Sequence, residues 1–451
     1  MNKYPGILVP PKVNHIIDVL QSNGYQAYVV GGCIRDCILG VEPGDWDIAT
    51  DALPLSLKQL FPRTVDTGIK HGTVTILVDG TGYEVTTYRI DGEYIDFRKP
   101  ESVTFTKSIT EDLSRRDFTI NAMAYNPGCG LVDPFGGIQD IEARIIRTVG
   151  DPDKRFNEDA LRMLRAVRFS AQLGFSVVEG TKASIGKNHQ LIASISAERI
   201  RDELTKTLLS DNPLCFSLLM ETKLIRHTLP EFEPCFSTVQ NNPYHSYDVA
   251  THTLLSVSNI KKDKVLRWTM LLHDIGKPGT RTTDERGIDH FYNHQMLSVK
   301  LSAEALKRLH FDNRSADRIL QLIKHHDLHI KLEHKAVRKA MSKVGEDVFP
   351  ELLQVMEADK RAQNPSLMAE RTVRFAKLWE IYNDIREKEQ CTSLKGLAVN
   401  GDDLIKLGMK PGREIKRQLD SLLERVIDQP ELNNPEVLLN LLSHKLNKHK
   451  K

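Results

Sequence analysis

Two carboxylates one residue apart, Asp45 and Asp47 flanking Trp46, follow shortly after the pair Gly31-Gly32. In an extended strand alternate side chains share a face, so both acids point one way and Trp46 the other. Side by side such groups repel, which is tolerable when they share divalent cations. Glu84, in Tyr83-Glu84-Val85-Thr86-Thr87, supplies a third acid mid-strand, where an unpaired buried charge is costly. The trio suits two-metal phosphoryl transfer: one ion activates an attacking 3′-hydroxyl and the other clamps a triphosphate. Gly31-Gly32-Cys33-Ile34-Arg35-Asp36 follows an apolar strand and opens a helix, so backbone and helix N-terminus can approach a phosphate.

Further on, Asp159 and Arg162 stand three apart, a spacing that puts both on one face of a predicted helix. A carboxylate accepts from the exocyclic amine of C or A and a guanidinium donates to the neighbouring ring acceptor, whereas U and G present the opposite polarity. Arg115-Arg116 precede the apolar Phe118 and Ile120, and Arg116 is assigned to an incoming triphosphate. A second chemistry is suggested by His273-Asp274 after the apolar run Trp268–Leu272, an imidazole and a carboxylate suited to a divalent ion. Lys410 and Arg413, around Pro411-Gly412 at a predicted helix start, suit an RNA backbone phosphate.

These residues need elements to position them. A chain of 451 residues exceeds a single core, so two to four domains are expected. From Lys12 to about Val149 short apolar runs such as Ala27–Val30 and Val74–Val78 alternate with helical stretches, an α/β pattern. After Gly150-Asp151-Pro152 the periodicity turns helical, beginning with Leu161, Leu164 and Val167. Turn-former clusters predict breaks near residues 211–213, 240–243 and 364–365. The net charge of +2 leaves nucleic-acid binding to local basic stripes rather than a global field. No apolar tract is long enough to span a membrane, and the first residues lack the pattern of a secretory signal, so cytoplasmic residence is expected. The six cysteines, including Cys33 and Cys37 in a predicted helix, are read as reduced thiols.

From Tyr28 to about Leu208 the chain resembles the polymerase β-like nucleotidyltransferases, and among them the class II CCA-adding enzymes and their poly(A) polymerase relatives. The first motif falls on Gly31, Gly32, Arg35, Asp36, Leu39, Gly40, Asp45 and Asp47, and the second on Arg115–Met123. The third falls on Asp133–Gly137, and the fourth on Glu158, Asp159, Arg162, Arg165, Ala166, Val167, Arg168 and Phe169. The resemblance implies an α+β fold, with a mixed-sheet head (1–149), a helical neck that selects the base (150–211), a helical body (212–365) and an RNA-holding helical tail (366–451). It implies catalysis by Asp45, Asp47 and Glu84 with Mg2+, and nucleotide binding by Gly31, Gly32, Arg35, Arg116, Asp159, Arg162, Arg165 and Arg168. The substrates implied are CTP, ATP and tRNA. The stretch Asp91–Pro100 resembles the family's flexible loop, associated with the switch from C to A addition. His252, His273, Asp274, His294, the pair His325-His326 and Asp359 follow in the order of the HD phosphohydrolases. That second resemblance implies a divalent ion, of identity not fixed by the sequence, on His252, His273, Asp274 and Asp359, with His294 and His325 (or its neighbour His326) available for another. The alternatives are a poly(A) polymerase on the same scaffold, or an HD phosphohydrolase with a degenerate head.

Overall fold

The computed structural model describes residues 7–92, 94–95 and 99–448. The loop expected at Asp91–Pro100 therefore lies partly outside the described residues, as do Lys450 and Lys451. The chain folds into two compact units, Met1–Pro230 and Glu231–Lys451.

The first unit is built on a seven-stranded sheet. Its strands are β1 (Ala27–Val30), β2 (Asp47–Thr50), β3 (Thr64–Gly68), β4 (Thr73–Val78), β5 (Thr81–Thr87), β6 (Ala124–Asn126) and β7 (Gly130–Val132), in the order β7-β6-β1-β2-β5-β4-β3. All neighbours run antiparallel except β2 and β5, which are parallel. Alternation sorts the side chains: Ile48 and Val85, paired across β2 and β5, are buried, whereas Asp47 and Glu84 one step earlier are exposed. The helix Pro11–Ser22 buries Val13, Ile16, Ile17 and Leu20, one stripe at helical spacing. Val30, Ala49, Tyr88, Leu113, Ala122, Ala124 and Val149 form a core cluster beneath the strand ends that carry the acids.

The neck follows as helices Pro152–Glu158 and Leu161–Leu173, separated by a break at Asp159; the shorter packs on Glu179–Asn188 and the longer on Ala197–Leu208. Gly174, at φ 68°, closes the longer helix in the left-handed conformation that favours glycine.

The second unit is mainly helical. Helices Val249–Ser258, Lys264–Leu272 and Asn313–His325 each start on an aspartate cap, Asp248, Asp263 and Asp312, whose carboxylate accepts a backbone N–H of the first turn. They pack with His294–Arg308 and Phe349–Arg361 into one bundle. The sequence pattern had strands ending before Gly150, yet Arg281–Thr283 and Asp289–Phe291 form a short antiparallel hairpin. Runs of three residues are too short to declare a period, and the hairpin depends on Asp289, buried beneath it. In the tail, Leu422 and Leu423 of the helix Arg413–Asp428 are buried with Leu404, Val426 and Leu438, and Ile415 and Leu419 pack at the edge of that cluster. Among the described residues no helix is long and apolar enough to cross a membrane. All six cysteines are free thiols.

Candidate active site and metal centre

The register of the sheet assembles the head site. Val30 pairs with Asp47, and Ile48 with Val85, so the same register brings Asp47 alongside Glu84, with the Gly31-Gly32 turn leaving the end of β1 next to them. Although the Asp47 side chain reaches solvent, the protein packed around it partly desolvates its carboxylate and raises its pKa; the Arg116 charge opposes that rise, and the Glu84 and Asp45 charges add to it. Asp47 thus feels both other acids and one cation. A site that disfavours its own ionised carboxylate is a fit for a divalent ion, which would reverse the penalty.

Gly31 has a structural reason in two respects. Its φ of 85° is left-handed, and a Cβ there would sit 2.9 Å from Nη1 of Arg116. Arg116 lies 3.5 Å from Asp112, a longer contact than Arg35, Arg165 and Arg168 make with their carboxylates.

The other arginines assigned to the nucleotide are engaged with protein. Arg35 donates through Nε and Nη2 to Asp36 at 2.9 and 2.7 Å and through Nη1 to Asn121 at 2.6 Å. Arg168 is buried, lies 4.3 Å over the Phe169 ring and pairs with Glu203 at 3.1 Å; burial lowers its pKa to about 10. Arg165 is clamped by Asp117 and, like Arg35, sits 5.2 Å from the Phe169 ring, whose edge meets Phe118 at 5.8 Å. Three guanidiniums around one ring tie the first, second and fourth motifs together.

Asp159 and Arg162 do not share a helix face. Asp159 ends the shorter helix in an extended conformation (φ −141°, ψ 104°) and accepts from Leu161 N and Arg199, at 3.1 and 3.2 Å. Arg162, the second residue of the next helix, donates to Glu158 at 2.7 Å and to the Arg115 carbonyl at 2.8 Å. The spacing argument assumed one continuous helix, and the break removes that assumption. Glu158 also pairs with Arg155 at 2.6 Å, so this acid, quoted within the fourth motif but given no role from sequence, organises the local guanidiniums.

In the second unit, imidazoles converge. His252, His273, His294 and His326 each place Nδ1 at a backbone carbonyl, of Ala362, Met270, Phe291 and Ile323, at 3.2, 2.7, 2.9 and 2.7 Å. A carbonyl only accepts, so Nδ1 carries the proton and Nε2 presents its lone pair. All four Nε2 atoms surround Asp274: His252 and His273 lie 3.4 and 3.2 Å from one oxygen, His294 and His326 3.3 and 3.7 Å from the other. Asp359 approaches His252 at 3.0 Å. His252, His273 and Asp274 form one group with ligand atoms within 4.8 Å of one another, and Asp274, His294 and His326 form another. The expectation for His325 is corrected here. It is the last residue of its helix and half-exposed, whereas His326, one position on, turns inward to 3.1 Å from His294. A one-residue step rotates a side chain by about 100°, so only one of two adjacent histidines can face the bundle.

Buried Nε2 of His252 and His273 have no hydrogen-bond partner, an expense that a bound cation would remove. Without it, burial would lower the His273 pKa, but the Asp274 and Asp359 carboxylates outweigh burial and raise it to about 9. Lys277, missed as a site residue although it closes the His273–Lys277 run, sits 2.7 Å from Asp274 on the next helical turn. Lys410 and Arg413 are exposed where the tail helix begins.

Residues 27–147 match the poly(A) polymerase head domain, 174–236 the probable RNA- and SrmB-binding site of polymerase A, and 244–364 the HD domain. The fold and the two sites thus define a polymerase-type nucleotidyltransferase carrying an HD domain. The chain is 37% identical over 437 residues to a CCA-adding enzyme of a Geobacillus species, covering 93% of each, and 32% identical over 443 residues to that of Lactobacillus helveticus, covering 97% of each. The Bacillus stearothermophilus CCA-adding enzyme, solved in complex with CTP, superposes with a TM-score of 0.71 and 31% identity over 98% of this chain and all of that one. The chain belongs to the CCA-adding enzymes.

Proposed function

We propose that the head adds C, C and A to the 3′ end of tRNA from CTP and ATP, with Asp45, Asp47 and Glu84 as the catalytic acids holding Mg2+. The observation that carries this reading is the register that sets Asp47 beside Glu84 at the Gly31-Gly32 turn, under the Arg116 charge. Divalent ions, when bound there, supply the charge that activates the 3′-hydroxyl and clamps the triphosphate. Arg116 meets the triphosphate. Asp159 and Arg162 read the base, Arg162 after release or sharing by Glu158; Arg35, Arg165 and Arg168 act by holding the neck to the head around Phe169. Gly31 and Gly32 clear space for Arg116 and the phosphates. The division of labour is a head (1–149), a neck (150–211), a body (212–365) and a tail (366–451) that grips tRNA through Lys410 and Arg413, in the cytoplasm.

The HD site is assigned a second activity, hydrolysis of a phosphate ester. Water oxygen bonds to phosphorus, the phosphorus–oxygen bond to the ribose breaks, and the departing oxygen takes a proton. His252, His273, Asp274 and Asp359 would hold a divalent ion, and Asp274, His294 and His326 a second. This reading is supported by the orphaned donor atoms that face one point.

The deciding experiment incubates the protein with tRNA ending at the discriminator base, Mg2+, and CTP or ATP singly and together. Three additions followed by arrest support CCA addition. Long A tails would support the poly(A) polymerase alternative, and phosphate release without incorporation a degenerate head.

A further inference from the structure

The HD centre opens into a cavity of about 1140 Å³ within the second unit. Its lining mixes Lys277, Lys360, Arg371 and Arg374 with Asp274, Asp289, Asp327, Asp359 and Glu370, so a phosphate would be held there by the lining cations together with a divalent ion on the acids and imidazoles. Its mouth is built differently. The hairpin Arg281–Thr283 and Asp289–Phe291 carries His290 and Tyr292, whose rings are stacked at 5.3 Å and 7°. Tyr292 is 69% exposed, so a large aromatic face is held open to solvent beside a metal cavity.

The platform is rigidly mounted. Buried Asp289 accepts from Arg281 at 3.0 Å, from Thr283 at 2.8 Å and from Asn241 N at 2.9 Å, pinning the strand from below. Asp284 receives Arg286 N and Ile288 N at 2.9 Å each and holds His290 Nε2 at 3.0 Å, which fixes the ring under Tyr292. Between Tyr292 and the ligand His294 lies only Asn293, in the left-handed region at φ 58°. The ring's position relative to the metal centre is therefore set by a single short, constrained link.

We propose that the Tyr292–His290 stack is a base platform, which receives the terminal nucleobase of a nucleotide or RNA end whose phosphate ester enters toward Asp274 and His294. An aromatic face accepts any base, because every base has a π-face, while a divalent ion at Asp274, with the Lys and Arg side chains of the lining, would take the phosphate. The substrate class is thus a nucleoside monophosphate ester rather than a small aliphatic one. The proposal rests on the reading of the HD site as a phosphohydrolase.

The test uses the full chain and two probes, 2-aminopurine riboside 3′-monophosphate and glycerol 3-phosphate. Tyr292→Ala should weaken binding of the fluorescent nucleotide roughly tenfold and diminish its stacking quench, while Tyr292→Phe retains both. Neither change should alter glycerol 3-phosphate hydrolysis or CCA addition. Equal nucleotide binding and quenching by the parent protein and Tyr292→Ala would overturn the platform. If the parent protein hydrolyses neither ester with Mn2+, Ni2+, Zn2+ or Mg2+ supplied, the phosphohydrolase reading itself fails, and binding alone still decides the platform.

Discussion

Asp117 receives Nε and Nη2 of Arg165 at 2.7 and 2.6 Å, joining the second motif of the head to the long helix of the neck across 48 residues of chain. The same carboxylate accepts from Asn121 at 3.2 Å, and Asn121 accepts from Arg35 at 2.6 Å. A continuous hydrogen-bonded path therefore runs from the helix after the Gly31-Gly32 turn to the long helix of the neck. Both Arg165 nitrogens converge on one oxygen, Oδ2, while Oδ1 accepts from Phe118 N and Asn121, so the whole carboxylate is engaged.

Removing that charge should be measurable. Burial would raise the Asp117 pKa, but the charges of Arg165 and Arg162 override it and bring it down to about 2. A depressed carboxylate adds stability that is complete above its unfolded value near 4 and is lost as pH falls toward 2. Asp117→Asn should therefore cost about 2 kcal/mol at pH 7, a deficit roughly halved at pH 3. Urea unfolding at the two pH values reads the difference; a deficit independent of pH would show that the ion pair contributes nothing.

Asp47 makes the opposite prediction. Its pKa is raised, so ionisation at neutral pH works against the fold, and the penalty disappears only as pH drops below the raised value. Without metal, Asp47→Asn should be at least as thermally stable as the parent at pH 7. Nucleotide incorporation should be lost, and so should the rise in melting temperature that Mg2+ with CTP gives the parent. Hydrolysis at the HD site should persist, and His273→Ala should show the reverse pattern of activities.

The order of motifs made the head legible in the sequence, and Glu84 does lie mid-strand, but β2 begins only at Asp47, so strand alternation does not govern the Asp45–Asp47 pair. What pairs Asp47 with Glu84 is register between strands far apart in sequence, and spacing carries no register. The arginines show the other limit. Arg35, Arg116 and Arg168 look equivalent in a sequence, and only the structure shows Arg35 and Arg168 closely paired while Arg116 meets Asp112 at the longer distance of 3.5 Å. Asp159 and Arg162 were read as one helix face because nothing between them, Ala160-Leu161, is a helix breaker. The break arises from Asp159 itself, whose carboxylate accepts the Leu161 N–H and competes with the helical pattern.

If Arg162 reads the base, Glu158 bears on selectivity. It holds Arg162 at 2.7 Å and Arg155 at 2.6 Å in a half-buried setting. Glu158→Gln keeps the shape but loses the charge, leaving Arg162 free to turn. The expected result is a drop of about tenfold in the preference for CTP over UTP, with smaller change in the rate of CTP addition itself. Steady-state kcat/KM for the two nucleotides on the same tRNA measures it, and an unchanged ratio would remove Glu158 from base selection.

His325 and His326 offer a sharper discrimination, since they are neighbours with the same chemistry. His326 Nε2 lies 3.1 Å from that of His294 and 3.7 Å from Asp274, and its Nδ1 is fixed by the Ile323 carbonyl. His325 is half-exposed, and burial together with Lys324 and Lys343 lowers its pKa, so it carries little charge at neutral pH. If two ions share Asp274, His326→Ala should remove one of them, lowering the bound divalent metal per chain from about two toward one, with loss of phosphate-ester hydrolysis. His325→Ala should leave metal content and activity as in the parent. Elemental analysis after dialysis against trace Mn2+ or Zn2+ reads both variants. Metal loss in His325→Ala with retention in His326→Ala would mean that the helix end turns by one residue when the ion binds.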